Sequence, residues 1–218
     1  QSTNQNSEDT FAPRVEILTE NLKGSIWLKG GRIDDLSLLK YRETLDSSSN
    51  NVSLLSPDDS KDPYYAFHGW AGMEGLEEND TPNSNTIWTL KSGSVLTENS
   101  PITLSWKSKK GIIFEKTISV DENYMFEISQ SVINGSSKNI KLYPYGNLTR
   151  NGQPDTIGFY ILHEGVVGMH DGELIETNYG DIPDLSRDEV TREIQQNGWI
   201  GFTDKYWMST LIPKAGQT

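Results

Sequence analysis

The chain has 218 residues, a formal net charge of −12 and no cysteine. That charge argues against nucleic acid, whose recognition needs a basic surface, and against electrostatic adhesion to anionic lipid. The missing cysteines exclude a disulfide scaffold, a thiolate zinc site and a thiol nucleophile. Six Trp, nine Tyr and six Phe offset a low hydrophobic content of 34%, because aromatic side chains bury large areas. Residues 1–12 read as disordered or linker and residues 13–218 as a single domain. No apolar run approaches the roughly 18 residues of a membrane span. A chain that starts at Gln1 without Met reads as a piece of something longer, with any transmembrane helix outside it.

In chain order, residues 14–19 read as a strand with Val15 and Ile17 on one face. Residues 25–28 form a second strand, and Gly30-Gly31 then marks a hairpin into residues 32–36, because the primed turns need positive φ. Residues 40–63 read mostly as loop around a short strand at 52–55. Residues 64–67 are followed by a glycine-rich loop through Gly69, Gly72 and Gly75. Strand signals then become regular at 86–90, 102–107, 112–120, 124–133 and 140–148. Short turns separate them, including Asn134-Gly135, a strong local hairpin signal. Residues 159–163, 166–169 and 173–176 read as shorter strands. Ser186 to Glu189 matches a capping box, but residues 184–195 fit a short helix or a strand equally well. The fold class is therefore all-β, a large antiparallel sandwich with little helix.

Residues 197–213 are the densest aromatic stretch, with Trp199, Phe202, Tyr206 and Trp207, and read as a centre around which earlier strands pack. Thr203-Asp204-Lys205 interrupts the apolar run like a turn, which divides the stretch into two tightly joined strands. It reads as a structural signature and not as a catalytic site.

Candidate chemistry is sparse. His163-Glu164 and His170-Asp171 invite an acid/base reading, but adjacent strand residues point to opposite faces, and polar residues beside turns are the plainer account. His68 has no metal-type spacing to another histidine. The acidic runs at 58–59, 74–80 and 181–193 lack the ligand order of a calcium loop. Trp27, Trp70, Trp88 and Trp106 suit either a sugar-stacking platform or a core. No catalytic residue, cofactor site or metal site is assigned.

Three stretches carry a family resemblance: residues 24–36 with Gly30, Gly31, Arg32 and Asp34; residues 114–124; and residues 198–213 with Gly198, Trp199, Asp204, Lys205, Tyr206, Trp207 and Pro213. In that order the chain resembles the large periplasmic domain of the YidC family of bacterial membrane protein insertases, in its alphaproteobacterial branch. The resemblance implies a β-supersandwich similar to galactose mutarotase, on the periplasmic side of the inner membrane. It implies a non-catalytic accessory that assists membrane protein insertion and folding and docks Sec translocon components, SecF, SecD or SecYEG. Nascent membrane proteins would be met through the full-length protein. The family's contact region corresponds to residues 155–195 here, so Phe159, Tyr160, Ile161, Val166, Val167 and Tyr179 are the candidate partner contacts. The family's domain continues past the Ile-Pro step, so the C-terminal end reads either as truncated or as lacking the later part. The competing reading is a carbohydrate-binding or aldose-epimerase-like protein on the same fold.

Overall fold

The computed structural model describes residues 12–154, 163–204 and 206–214. The chain forms two compact units, Gln1–Asn147 and Leu148–Thr218. Most of the proposed N-terminal linker lies outside the described residues, as do Phe159, Tyr160, Ile161 and Lys205.

The first unit is a two-sheet sandwich. Its seven-stranded sheet uses β1 (Arg14–Leu18), β2 (Leu22–Trp27), β3 (Arg32–Arg42), β4 (Asn51–Leu55), β5 (Tyr64–Glu74), β7 (Val95–Leu96) and β11 (Lys141–Arg150). The strand order is β11-β5-β3-β2-β1-β7, with β4 also on β3. The second sheet, in the order β10-β9-β8-β6, uses β6 (Thr89–Ser92), β8 (Ile102–Lys107), β9 (Ile113–Val120) and β10 (Phe126–Ile133).

Period-two alternation sets the inner face of this second sheet. Along β9, Phe114, Lys116, Ile118 and Val120 are buried while their neighbours are half-exposed. Across the sheet, Ile102 pairs with Ile118 and Leu104 with Lys116, and both β8 residues are fully buried. Trp70 of the first sheet lies 5.2 Å from Phe114 and 6.2 Å from Trp88, which ties the two layers together. Burying each such side chain contributes on the order of 1.5–3 kcal/mol.

The β2–β3 hairpin forms where Gly30-Gly31 places it, with φ of +76° and +62°. Other local signals are overridden. Gly69 and Gly72 lie inside β5 and not in a loop, because a Cβ at Gly69 would sit 2.6 Å from the Tyr145 hydroxyl. Asn134-Gly135 does not close a hairpin: β10 pairs with β9, whereas β11 crosses to β5. Gly135 serves close approach instead, since its Cβ would meet the Gly111 carbonyl at 2.5 Å.

The second unit holds a four-stranded sheet, β13-β12-β14-β15, built from β12 (Gly165–His170), β13 (Glu173–Asn178), β14 (Gly198–Thr203) and β15 (Met208–Leu211). The ambiguous segment contains one helical turn, α1 (Arg187–Val190), opened by the Ser186–Glu189 capping box. The aromatic stretch is two strands joined by a turn in which the Asp204 N–H donates to the Trp207 carbonyl at 2.8 Å. It is not the centre of the core, since Ile200, Tyr206 and Met208 are exposed. The largest fully buried side chains, among them Trp88, Phe114 and Lys116, belong to the first unit. Among the described residues no helix is long and apolar enough to cross a membrane.

Candidate functional site

The motif residues of the first unit surround the β2–β3 turn. Arg32 is buried and its guanidinium lies 4.7 Å from the Trp27 ring centroid and 4.9 Å from that of Tyr65, while also pairing with Asp58. Stacking of this kind suits a planar, weakly hydrated guanidinium. Asp34 is fully buried and pairs with Arg14. Burial still raises the Asp34 carboxyl above its ordinary range, with Arg14 opposing the shift. These contacts fix the hairpin and expose no reactive group.

Beside the turn lies a recess lined by Gly30, His68, Gly69, Trp88, Lys116 and Tyr145, among others. Lys116 is only 2% exposed. Its Nζ sits 4.3 Å from the Trp88 ring centroid and donates to the Gly30 carbonyl at 3.3 Å. Burial lowers the lysine pKa to about 7. Burial, with Lys116 adding to it, lowers His68 to about 4, and burial raises the Tyr145 phenol. Gln130, opposite Lys116 on β10, donates to the Gly69 carbonyl at 2.8 Å. The sequence reading assigned no role to Lys116, although the alternation of Phe114, Lys116 and Ile118 places it on the apolar face. Trp70 and Trp88 are buried in the core and do not form a platform.

A wider groove of about 580 Å³ includes Asn79, Asn83, Asn85, Trp106, Lys107 and Lys109 in its lining. It is polar, aromatic and locally cationic on a protein of net charge −12.

In the second unit the signature residue Asp204 gathers Arg150 and Tyr179. Its carboxylate accepts from Arg150 Nη1 at 2.7 Å and from the Tyr179 hydroxyl at 3.1 Å. Arg150 lies 5.5 Å from the Tyr179 ring centroid, and Tyr179 stacks on Phe202 at 6.2 Å. Gly201 lets β15 approach, because a Cβ there would meet the Ser209 carbonyl at 2.0 Å. Gly198 abuts Ile194 and the Met169 carbonyl in the same way. Trp199 and Trp207 are half-buried, and Tyr206 and Pro213 are exposed.

The histidines here serve structure. His163 Nε2 lies 2.8 Å from the Val166 carbonyl, and His170 Nε2 lies 2.6 Å from that of Glu193. Asp171 accepts from the backbone N–H groups of Gln195, Gln196 and Asn197, which lowers its carboxyl below the usual range. Of the candidate partner contacts, Val167 and Tyr179 are buried and Val166 is half-exposed. Val166 shares a sheet face with Ile175, Ile200, Phe202 and Leu211, since residues directly paired across strands point the same way. On that face Ile200 is 54% exposed, with Gly168 between it and Ile175.

Residues 14–218 match the family described as the YidC periplasmic domain. A protein of Dinoroseobacter shibae named membrane protein insertase YidC is 52% identical over 214 residues, covering 94% of this chain and 35% of its own length. Proteins of the same name from a Ruegeria species and from Cereibacter sphaeroides are 50% and 48% identical. They cover 90% and 94% of this chain and 33% and 34% of their own lengths. The chain thus spans about a third of the length of the curated relatives it matches.

Proposed function

The chain belongs to the YidC periplasmic-domain family, and we propose that it is a non-catalytic module on the periplasmic side of the bacterial inner membrane. It assists the membrane protein insertion and folding carried out by the full-length insertase and docks auxiliary components of the Sec translocon, SecF and SecD, at SecYEG. The match over residues 14–218 carries this reading. Two observations support it. The histidines of the second unit are tied to backbone carbonyls. The same unit presents an apolar sheet face with Ile200 exposed.

Docking is assigned to that face together with Phe159, Tyr160 and Ile161. Val167, on the opposite face of the sheet, and Tyr179, stacked on Phe202, are buried and act on docking by positioning the sheet. Capture of SecF from solubilised membranes tests the assignment. Ile200→Asp and Tyr160→Ala abolish capture if the face docks, whereas Lys23→Ala leaves it unchanged. Equal capture by all variants removes the site from consideration.

The amide-lined groove favours a second reading, a glycan-binding surface. Trp106 supplies a stacking ring, and Asn79, Asn83 and Asn85 supply donors and acceptors for hydroxyl groups. A sugar titration followed by Trp fluorescence distinguishes the two readings, since saturable quenching that is lost in Trp106→Ala is expected only for the second.

A further inference from the structure

The recess at Lys116 is built for a charge that nothing in it balances. An ammonium has three donors and no acceptor. Among the described residues Lys116 reaches one acceptor, the Gly30 carbonyl at 3.3 Å. The Trp88 indole N–H lines the same recess, is buried, and has no acceptor among the described residues. Both groups crowd Gly31, whose Cβ would lie 3.1 Å from Lys116 Nζ and 3.3 Å from Trp88 Nε1. His68 and Tyr145 are the other titratable groups of the lining, and no carboxylate is among them.

Two features favour the charged amine, namely the face of Trp88 beneath Nζ and the carbonyl beside it. A buried cation nevertheless needs a counter-charge, or it gives up its proton. The free volume of about 10 Å³ is room for about one water-sized sphere. Phosphate, carboxylates and sugars are too large. A water would satisfy the indole N–H but leave the ammonium unbalanced, whereas a monatomic anion answers both groups.

We propose that this recess binds one monovalent anion of halide size between the Lys116 ammonium and the Trp88 indole N–H. Binding is linked to proton uptake at Lys116, so affinity falls as pH rises through the range in which the free amine titrates. The neutral ring of His68 can add a third N–H donor. The site sits inside the first unit and is independent of the docking reading.

Thermal unfolding of the 218-residue chain in sodium chloride, bromide or gluconate at equal ionic strength tests the proposal. A halide at about ten times its dissociation constant raises the Tm by roughly 3–6 °C at pH 6, with a smaller shift at pH 9. Lys116→Met removes the halide-specific shift, and Trp88→Phe reduces it. Crystals of the unaltered protein soaked in bromide give an anomalous peak between Lys116 Nζ and Trp88 Nε1, which keeps the test valid if either variant fails to fold. Equal Tm values in halide and gluconate, a halide shift that persists in Lys116→Met, or a water in place of the bromide peak would overturn it.

Discussion

Lys116 and Arg150 are both cations set against aromatic rings, Trp88 and Tyr179. Only Arg150 has a carboxylate beside it, Asp204 at 2.7 Å. The first unit therefore holds a buried charge at a cost in stability, while the second neutralises its charge locally and leaves apolar side chains such as Ile200 facing outward. A paired charge can brace the sheet it lies against without a net charge at that point. An unpaired one makes its surroundings sensitive to protons and ions.

The largest expected effect breaks the contrast at the ring beneath Lys116. Trp88→Ala removes a 2%-exposed side chain that stacks on Trp70 and should cost about 3–5 kcal/mol in urea unfolding. Next comes the lysine itself. Its ordinary pKa is 10.5 and its folded value about 7, so between those pH values the unfolded chain binds more protons. Stability then rises with pH at about 1.4 kcal/mol per unit, and below about pH 7 the full penalty is present. Lys116→Met should flatten that slope and stabilise the first unit by roughly 1–4 kcal/mol at pH 6. His68, with an ordinary pKa of 6.5 and a folded value near 4, adds a second loss as pH falls from 6.5 towards 4, and His68→Phe removes it.

A smaller effect is expected at the paired site. Asp204→Asn leaves the Arg150 guanidinium without its counter-charge and should cost about 1–2 kcal/mol of the second unit's stability, because Asp204 keeps 30% exposure and some solvent compensation. The smallest effect on stability sharpens the comparison most. Ile200→Asp, at an exposed position, should change stability by no more than about 0.5 kcal/mol while abolishing SecF capture.

Most of the sandwich was legible from alternation and turn residues. Val15 and Ile17 mark the buried face of β1, and Gly30-Gly31 marks the hairpin because only positive φ closes it. Signals failed where a distant partner decided the local structure. Gly69 reads as loop until Tyr145 is placed against it, and Asn134-Gly135 reads as a hairpin until β11 is seen to cross to the other sheet. Lys116 was visible as the polar member of an apolar alternation. What the sequence could not supply was the Gly30 carbonyl, brought in by the β2–β3 turn, and the Trp88 ring beneath the amine. Aromatic density at residues 197–213 suggested a core, but short strands with glycines at 198 and 201 make a thin sheet that leaves Ile200, Tyr206 and Met208 exposed.

The proposed docking of a translocon subunit places the contact on the second unit. Photo-crosslinking in cells carrying the full-length insertase tests it most directly, with the reactive residue placed at position 200 and, for comparison, at position 127 on the exposed side of β10. A SecF or SecD adduct is expected from position 200 and none from position 127. An adduct from position 127 alone, or from neither position, would contradict it.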